Sequence, residues 1–288
     1  MLGASLALAL HHAGHTVLPT TRKPTAQAQR LEFAGLSVGY CDLIAEGPPA
    51  AQFDAFIHCA GTSPSPTAQP IQICLDNAAA AAKVAKFAHL TGARLLVYMS
   101  SLSVYGLIQS SEVDELSPRV NPDVYGASKY IAERIIEEAA PALCSVAIRL
   151  PGVLGPGAAR NFLSQTRKHM LNHAPITAYN PTAPFNNACH VDDLTRFVQT
   201  LLSTDQRGFR TVTVGAGDHM PVRNILELIR ARTCSRSDIA FVEDARTSFT
   251  ISNRAAASMG YAPMSMKNML ETWLREESGP GKHPSDLG

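Results

Sequence analysis

Leu95-Leu96-Val97-Tyr98-Met99-Ser100-Ser101, running on into Leu102-Ser103-Val104-Tyr105-Gly106, is the stretch on which the reading of this chain turns. An unbroken apolar run bounded by serines reads as a strand buried on both faces, as in a parallel sheet. A hydroxyl at the carboxyl end of such a strand stands where open α/β sheets gather their ligands. Twenty-four positions beyond Ser101 comes Tyr125-Gly126-Ala127-Ser128-Lys129. The tyrosine and lysine are four apart, so a helix stacks them on one face, one turn from each other. A nearby ammonium favours the phenolate, which draws the tyrosine pKa towards neutrality and suits it to exchange a proton with a hydroxyl or carbonyl.

Outward from this core, residues 4–13 read as an Ala/Leu-rich helix closed by Gly14, and residues 15–19 as a short strand. Strands follow at 53–60, 94–100 and 144–150, with helices at 77–90 and at 125–139, the latter closed by Pro141. Short apolar strands alternating with helices make a Rossmann-like, doubly wound parallel sheet of the α/β class. Beyond Pro151, glycine and proline become dense, and Phe209 to Val214 reads as one more strand returning to the sheet. The expected organisation is a dinucleotide-binding domain over 1–150, a small mixed substrate-binding lobe over 151–277, and a disordered tail over 278–288.

The chain has 288 residues, a formal net charge of +1, 45% hydrophobic and 17% charged residues. That balance carries no electrostatic footprint for nucleic acid. The apolar stretch Leu6 to Leu10 is too short to span a bilayer and lacks the flanks of a secretory signal, so no membrane partner is expected and the default location is cytoplasmic. Six cysteines without a C-x-x-C pair read as reduced thiols, and the dispersed histidines give no metal site.

Ser100-Ser101-x-x-Val104-Tyr105-Gly106 followed by Tyr125-Gly126-x-Ser128-Lys129 resembles the extended short-chain dehydrogenase/reductases, the NAD-dependent epimerase/dehydratase family of nucleotide-sugar enzymes. The resemblance implies that Tyr125 is the acid/base, that Lys129 holds the nicotinamide ribose, and that Ser101 hydrogen-bonds the reacting oxygen. Asn77 matches an asparagine that binds a proton-relay water, with helix capping as the alternative reading. Phe53 to Gly61, including Cys59, Ala60 and Gly61, resembles the strand and turn beneath the cofactor, and Asp42 with Leu43 the turn that contacts adenine. Arg149-Leu150-Pro151-Gly152 resembles the strand and loop that meet the nicotinamide, Pro151 and Gly152 being the cofactor contacts. His190-Val191-Asp192-Asp193 reads mainly as a helix start. Substrate contacts are expected from Ser63, Leu102, Ser103, Asn161 and Asn187, and a homodimer through the helices 77–90 and 125–139 is implied by analogy.

The chain opens inside the family's glycine-rich turn: Gly3 aligns with its last glycine, whose helix would hold the pyrophosphate. The first strand and two glycines are not in the sequence, and the expectation is a start recorded about ten residues late, the alternative being a relative that lacks this strand. After the second strand, Arg22 and Lys23 stand where NAD enzymes carry an acid, which favours NADP over NAD. Leu102-Ser103 replaces the Asp-Glu pair of the 4,6-dehydratases, so that chemistry is not expected. The resulting expectation is hydride exchange between nicotinamide and a carbinol or carbonyl carbon, by an epimerase or oxidoreductase acting on a nucleotide sugar or related small molecule. The alternatives are an NADPH-dependent reductase of a non-sugar carbonyl and, in another class, a non-catalytic nucleotide-binding sensor or scaffold.

Overall fold

The computed structural model describes residues 2–49, 51–139, 143–204, 207–245 and 247–278; the expected helix stop at Pro141 and the tail beyond 278 lie outside them. Along the chain run helix α1 (Leu2–His12), strand β1 (Thr20–Thr21), α2 (Ala26–Phe33), β2 (Gly39–Tyr40), β3 (Ala55–His58), α3 (Pro70–Leu90) and β4 (Leu95–Ser101). A 3-10 turn (Leu102–Tyr105) leads to β5 (Glu112–Val113), α4 (Val124–Ala139), β6 (Cys144–Leu150), β7 (Gly152–Leu154), α5 (Phe162–Leu171), β8 (Ile176–Tyr179), β9 (Pro184–Phe185) and β10 (Ala188–His190). The remainder holds α6 (Val191–Ser203), β11 (Phe209–Thr213), β12 (Met220–Pro221), α7 (Val222–Arg232), β13 (Ile239–Val242), β14 (Thr250–Ile251), α8 (Arg254–Ser258) and α9 (Met266–Ser278). No helix is long and apolar enough to cross a membrane among the described residues.

These residues fall into two compact units, the first within Met1–Leu107, Glu115–Leu150 and Thr195–Thr213, the second within Ile108–Asp114, Pro151–Leu194 and Val214–Gly288. The first is built on a Rossmann-like parallel sheet in the order β11-β6-β4-β3. β4 lies inside it, and Leu95 to Ser100 are all buried, which is why this strand reads as a continuous apolar run rather than an alternating one. β11 pairs along β6, so the strand expected near 209–214 does return to the main sheet. Gly14, at φ +89°, closes α1: its amide reaches the His11 carbonyl and that of His15 reaches Leu10.

Two boundaries differ from the sequence expectation. The strand expected over 15–19 is confined to Thr20–Thr21, which pairs in parallel only with Gly39–Tyr40 among the described residues. β3 is an edge of the four-stranded sheet, and β1 does not pair with it. Residues of both β1 and β3 line a cavity of ≈930 Å³, together with Leu6 and Leu10 of α1. The helix expected over 77–90 begins instead at Pro70, where a proline at the first helical position costs no hydrogen bond. Asn77 therefore sits inside α3 and caps nothing.

α3 meets its neighbours through small side chains. Ala81, Ala85 and Ala88 are fully buried in one cluster with Leu96 and Tyr98 of β4 and Ala132 and Ile136 of α4. In the second unit, the core gathers Leu226 and Ile229 of α7 and Met266, Met269, Leu270 and Trp273 of α9, all fully buried. Around it, β7 pairs with β10 and β8 with β13, both in parallel. A leucine has no room in the alanine seam, so Ala85→Leu is expected to destabilise the protein by about 1–3 kcal/mol, read as a lowered urea midpoint at unchanged m-value.

Candidate active site

The site is assembled where α4 begins against the end of β4. Asp123 starts the helix: its carboxylate accepts from the Gly126 amide at 2.7 Å and its carbonyl from Ala127 at 2.8 Å. Gly126 then brings the backbone of α4 onto the Ser103 carbonyl of the 3-10 turn so closely that a Cβ there would overlap it. That approach puts Tyr125 beside Ser101, the last residue of β4. The phenol is hydrogen-bonded to the side chains of both Ser101 and Ser63. The Ser101 hydroxyl also donates to Ser103 Oγ and accepts from the Ser103 amide, each at 3.1 Å, which fixes its rotamer.

One turn further along α4, Lys129 is 4% exposed. Its ammonium donates to the Met99 carbonyl at 2.7 Å and lies 4.6 Å from the centre of the Tyr98 ring, against which His58 stacks at 5.4 Å. A carbonyl and an aromatic face are the groups that stabilise a cation without a counter-charge. They do not cancel the loss of water. Desolvation holds the Lys129 pKa down, from its ordinary 10.5 to about 8, against the opposing pull of Cys59 and Glu133. Burial likewise keeps His58 neutral, with its pKa down at about 3.

Tyr125 departs from the expected direction. Burial raises the phenol pKa above its ordinary 10.0, and the opposing hydrogen bonds with Ser63 and Ser101 do not offset it. The inference from i,i+4 spacing treated the ammonium as the dominant neighbour; in the folded protein desolvation outweighs the other influences. At neutral pH the protein's own groups thus hold Tyr125 as a proton donor.

Asn77 has three protein hydrogen bonds of its own. Its Oδ1 accepts from the Thr62 amide at 2.8 Å, and its Nδ2 donates to the Thr62 carbonyl at 3.1 Å and to Ser128 Oγ at 2.8 Å. Both amide hydrogens are committed to protein. Asn77 ties α3, α4 and the loop carrying Gly61 and Ser63 together, and it caps no helix. Asp76 supports it, accepting from the Thr62 hydroxyl at 2.7 Å.

Of the residues expected to hold a cofactor, Gly3, Arg22, Asp42, Leu43, Cys59, Ala60 and Gly61 all line the ≈930 Å³ cavity. Gly3 lies in the first turn of α1, where a Cβ would sit 3.3 Å from that of Cys59. A Cβ on Gly61 would come 3.0 Å from Asn77 Oδ1 and 3.5 Å from Lys129 Nζ. The Asp42 carboxylate accepts from the amides of Ile44 and Ala45, which hold its pKa low, with Arg22 contributing in the same direction. Lys23 does not share this cavity: it is exposed, and its carbonyl only accepts from the Thr21 hydroxyl. Both side chains of this basic dipeptide are exposed, and of the two Arg22 lines the cavity.

Leu102 and Ser103 form the 3-10 turn beside Tyr125. In the second unit, the Asn161 side chain is a helix cap for α5, accepting from the Ser164 amide at 2.9 Å and donating to the Val153 carbonyl at 2.9 Å. Gly152 leaves room for it, since a Cβ would come 2.8 Å from Asn161 Cβ. Asn187 Oδ1 is buried with no hydrogen-bond partner among the described residues, and Pro151 directly precedes β7. Sequence reasoning missed Asp123 and Glu133. The first had a readable signal, an aspartate ahead of a helical motif; the second is an acid on the apolar face of α4, whose partner only the sheet reveals.

The lowered Lys129 pKa makes stability depend on pH. The unfolded chain holds that proton up to about 10.5 and the folded protein only to about 8, so between these values the unfolded state binds more protons and stability rises with pH. Lys129→Met, which buries no charge, is expected to gain stability over the wild type most strongly at pH 7 and to lose that advantage between pH 8 and 10.5, measured by urea unfolding across the range.

The structure resembles solved structures across nearly its whole length. WbmG of Bordetella bronchiseptica, in complex with NAD and UDP, is 18% identical with a TM-score of 0.80, covering 96% of this chain and 91% of its own. UDP-glucuronic acid 4-epimerase from Bacillus cereus, in complex with NAD, is 17% identical with a TM-score of 0.79 and coverage of 95% and 94%. MoeE5, in complex with UDP-glucose and NAD, is 22% identical with a TM-score of 0.73 and coverage of 96% and 94%. At these identities the likeness shows the fold. Among curated proteins there is no match. The family model of the NAD dependent epimerase/dehydratase family matches residues 1–215, and the chain belongs to that family.

Proposed function

We propose that this protein exchanges hydride between a nicotinamide dinucleotide and a carbinol or carbonyl carbon of a nucleotide sugar, as an epimerase or oxidoreductase. The observation that carries the reading is the Tyr125 phenol hydrogen-bonded to Ser101 and Ser63, one helical turn from a buried Lys129 ammonium. A sensor or scaffold has no use for a buried proton donor beside a buried cation. The three complexes with NAD, two of them also with UDP or UDP-glucose, support the nucleotide-sugar class over a reductase of non-sugar carbonyls. Leu102 and Ser103 supply no carboxylate beside Tyr125, which speaks against 4,6-dehydration.

The residues present fit a dinucleotide. The ≈930 Å³ cavity is within the ~300–1,000 Å³ range of small-molecule sites. Gly3 and Ala4 at the start of α1 offer backbone amides for a pyrophosphate, and Gly61 keeps clear a cradle that a side chain would fill. Asp42 and Leu43 stand ready for the adenosine, Lys129 for the ribose hydroxyls, and Arg22 for a 2′-phosphate, a placement that favours NADP although the cited complexes hold NAD. Nicotinamide bound there supplies the hydride donor and acceptor.

The chain's own groups do the rest. Ser101 hydrogen-bonds the substrate oxygen and orients it. Tyr125 gives its proton to that oxygen when a carbonyl is reduced and takes it back when the carbinol is oxidised. Lys129 places positive charge one turn away, where it opposes the cost of the phenolate. Asn77 holds Thr62, and with it the Ser63 hydroxyl, against the phenol. Exposed Ile71 and Leu75 on α3 and Ile131 on α4 favour a homodimer through these helices.

Tyr125→Phe is expected to lower kcat by about 10²–10⁴-fold and to leave the dissociation constants of NADPH and NADH as they are in the wild type. The assay uses UDP-sugars, followed both by sugar interconversion and by nicotinamide absorbance. Interconversion without net absorbance change identifies an epimerase, and absorbance change a dehydrogenase or reductase. Wild-type binding of cofactor without turnover of any UDP-sugar or keto-sugar overturns the proposal in favour of a sensor.

A further inference from the structure

Beneath the site lies a charged network that the proposed chemistry does not use. Tyr125, Lys129 and Glu133 occupy three successive turns of α4, and Glu133 is 1% exposed. Facing it from β6, Arg149 is also 1% exposed and forms a two-pronged contact, Nη2 to Oε2 at 2.7 Å and Nε to Oε1 at 3.0 Å. Glu133 Oε1 additionally accepts from the Ser100 hydroxyl at 2.5 Å. Arg149 Nη1 donates to the Tyr105 hydroxyl at 2.9 Å and to the Glu115 carbonyl at 3.1 Å. Arg149, expected from the sequence in the strand leading to the nicotinamide, thus spends its guanidinium inside the fold.

Each tie of this network ends beside a group of the site. Ser100 directly precedes Ser101. Tyr105 ends the 3-10 turn that begins after Ser101 and carries the Ser103 carbonyl met by Gly126. Glu133 is one turn from Lys129, and its carboxylate favours the lysine's charged form. An ion pair withdrawn from water is a poor source of stability, since well-packed apolar residues often serve as well or better. What a bidentate fork adds is geometry: it fixes two planar groups in both distance and angle.

Resting on the function proposed above, we infer that Glu133 and Arg149 are positioning residues, clamping α4 to β4 and β6 so that the Ser101 hydroxyl and the Tyr125 phenol meet at one substrate oxygen. An error of about 1 Å in such an arrangement costs on the order of 10²-fold in rate. A purely structural pair would affect only stability, and a neutral replacement would restore everything.

The test is the double variant Glu133→Gln/Arg149→Met, which removes both charges of the pair together and keeps an acceptor for Ser100. It is expected to retain the wild-type cofactor dissociation constant and KM, to lose about 10–10²-fold in kcat, and to show in a crystal structure that the hydrogen bond between Ser101 and Tyr125 is lengthened or lost. A folded double variant with wild-type kcat and that hydrogen bond intact overturns the inference. Should the double variant fail to fold, Arg149→Lys, which keeps the charge and loses the fork, is read by the same two measurements with the same outcomes expected. The crystallographic readout judges the clamp without turnover, while wild-type turnover measured alongside judges the proposed function, so the two fail separately.

Discussion

The hydrogen bonding of the Tyr125 phenol to the hydroxyls of Ser101 and Ser63 is the interaction on which the rest of the site depends. Three segments distant in sequence must converge to make it: the end of β4, the start of α4, and the loop after β3. Each is held by its own device. The 3-10 turn gives up space only to a glycine at 126, Asp123 starts the helix at the required residue, and Asn77 and Asp76 grip Thr62 so that Ser63 cannot drift. The cost is a phenol out of water, which is why its pKa lies above rather than below its ordinary value. A proton donor at neutral pH is the consequence.

Lys129 illustrates the same compromise between stability and chemistry. Seated on the Met99 carbonyl and the Tyr98 face, it is nearly free of solvent and lacks a carboxylate in direct contact among the described residues. Cys59 and then Glu133, the latter one turn away and already forked onto Arg149, favour its charged form. The first unit therefore carries two kinds of buried charge, one paired and one not, on consecutive turns of one helix. The unpaired one belongs to the proposed chemistry and the paired one holds the frame.

Much of the fold was legible because β4 and β6 are continuous apolar runs and α4 carries its motif in its first two turns. Leu95–Ser101 and Cys144–Leu150 fall within a residue of the expected strands. The start of α3 was not read from the sequence, since Pro70 to Asp76 exposes Ile71 and Leu75 and buries Ile73 and Asp76, so its apolar positions do not mark the buried face. Nor was the retreat of β1 to two residues, because strand formation there depends on a neighbour rather than on Val17 and Leu18. At the site, residue type and spacing brought Ser101, Tyr125 and Lys129 forward, while the partners of Asn77, the solvent position of Lys23 and the capping work of Asn161 exist only in three dimensions. The direction of the Tyr125 pKa was missed for the same reason: spacing along a helix reports a neighbouring charge but not the surrounding burial.

The cavity beside β1 and β3 ties the fold to its family, joining Gly3, Asp42 and Gly61 in one space on the first unit. Its lining runs to Gly61 and Thr62, the residues that lead into Ser63 of the hydroxyl cluster. Labelling tyrosines with carbon-13 at Cζ and titrating Tyr125 by NMR, in the wild type and in Ser101→Ala, tests that cluster most directly. The account predicts a wild-type pKa above 10.0 that moves higher still when the Ser101 hydroxyl is removed, because that hydrogen bond favours the phenolate. A titration curve indifferent to the loss of Ser101, or a wild-type pKa well below 10.0, would contradict it.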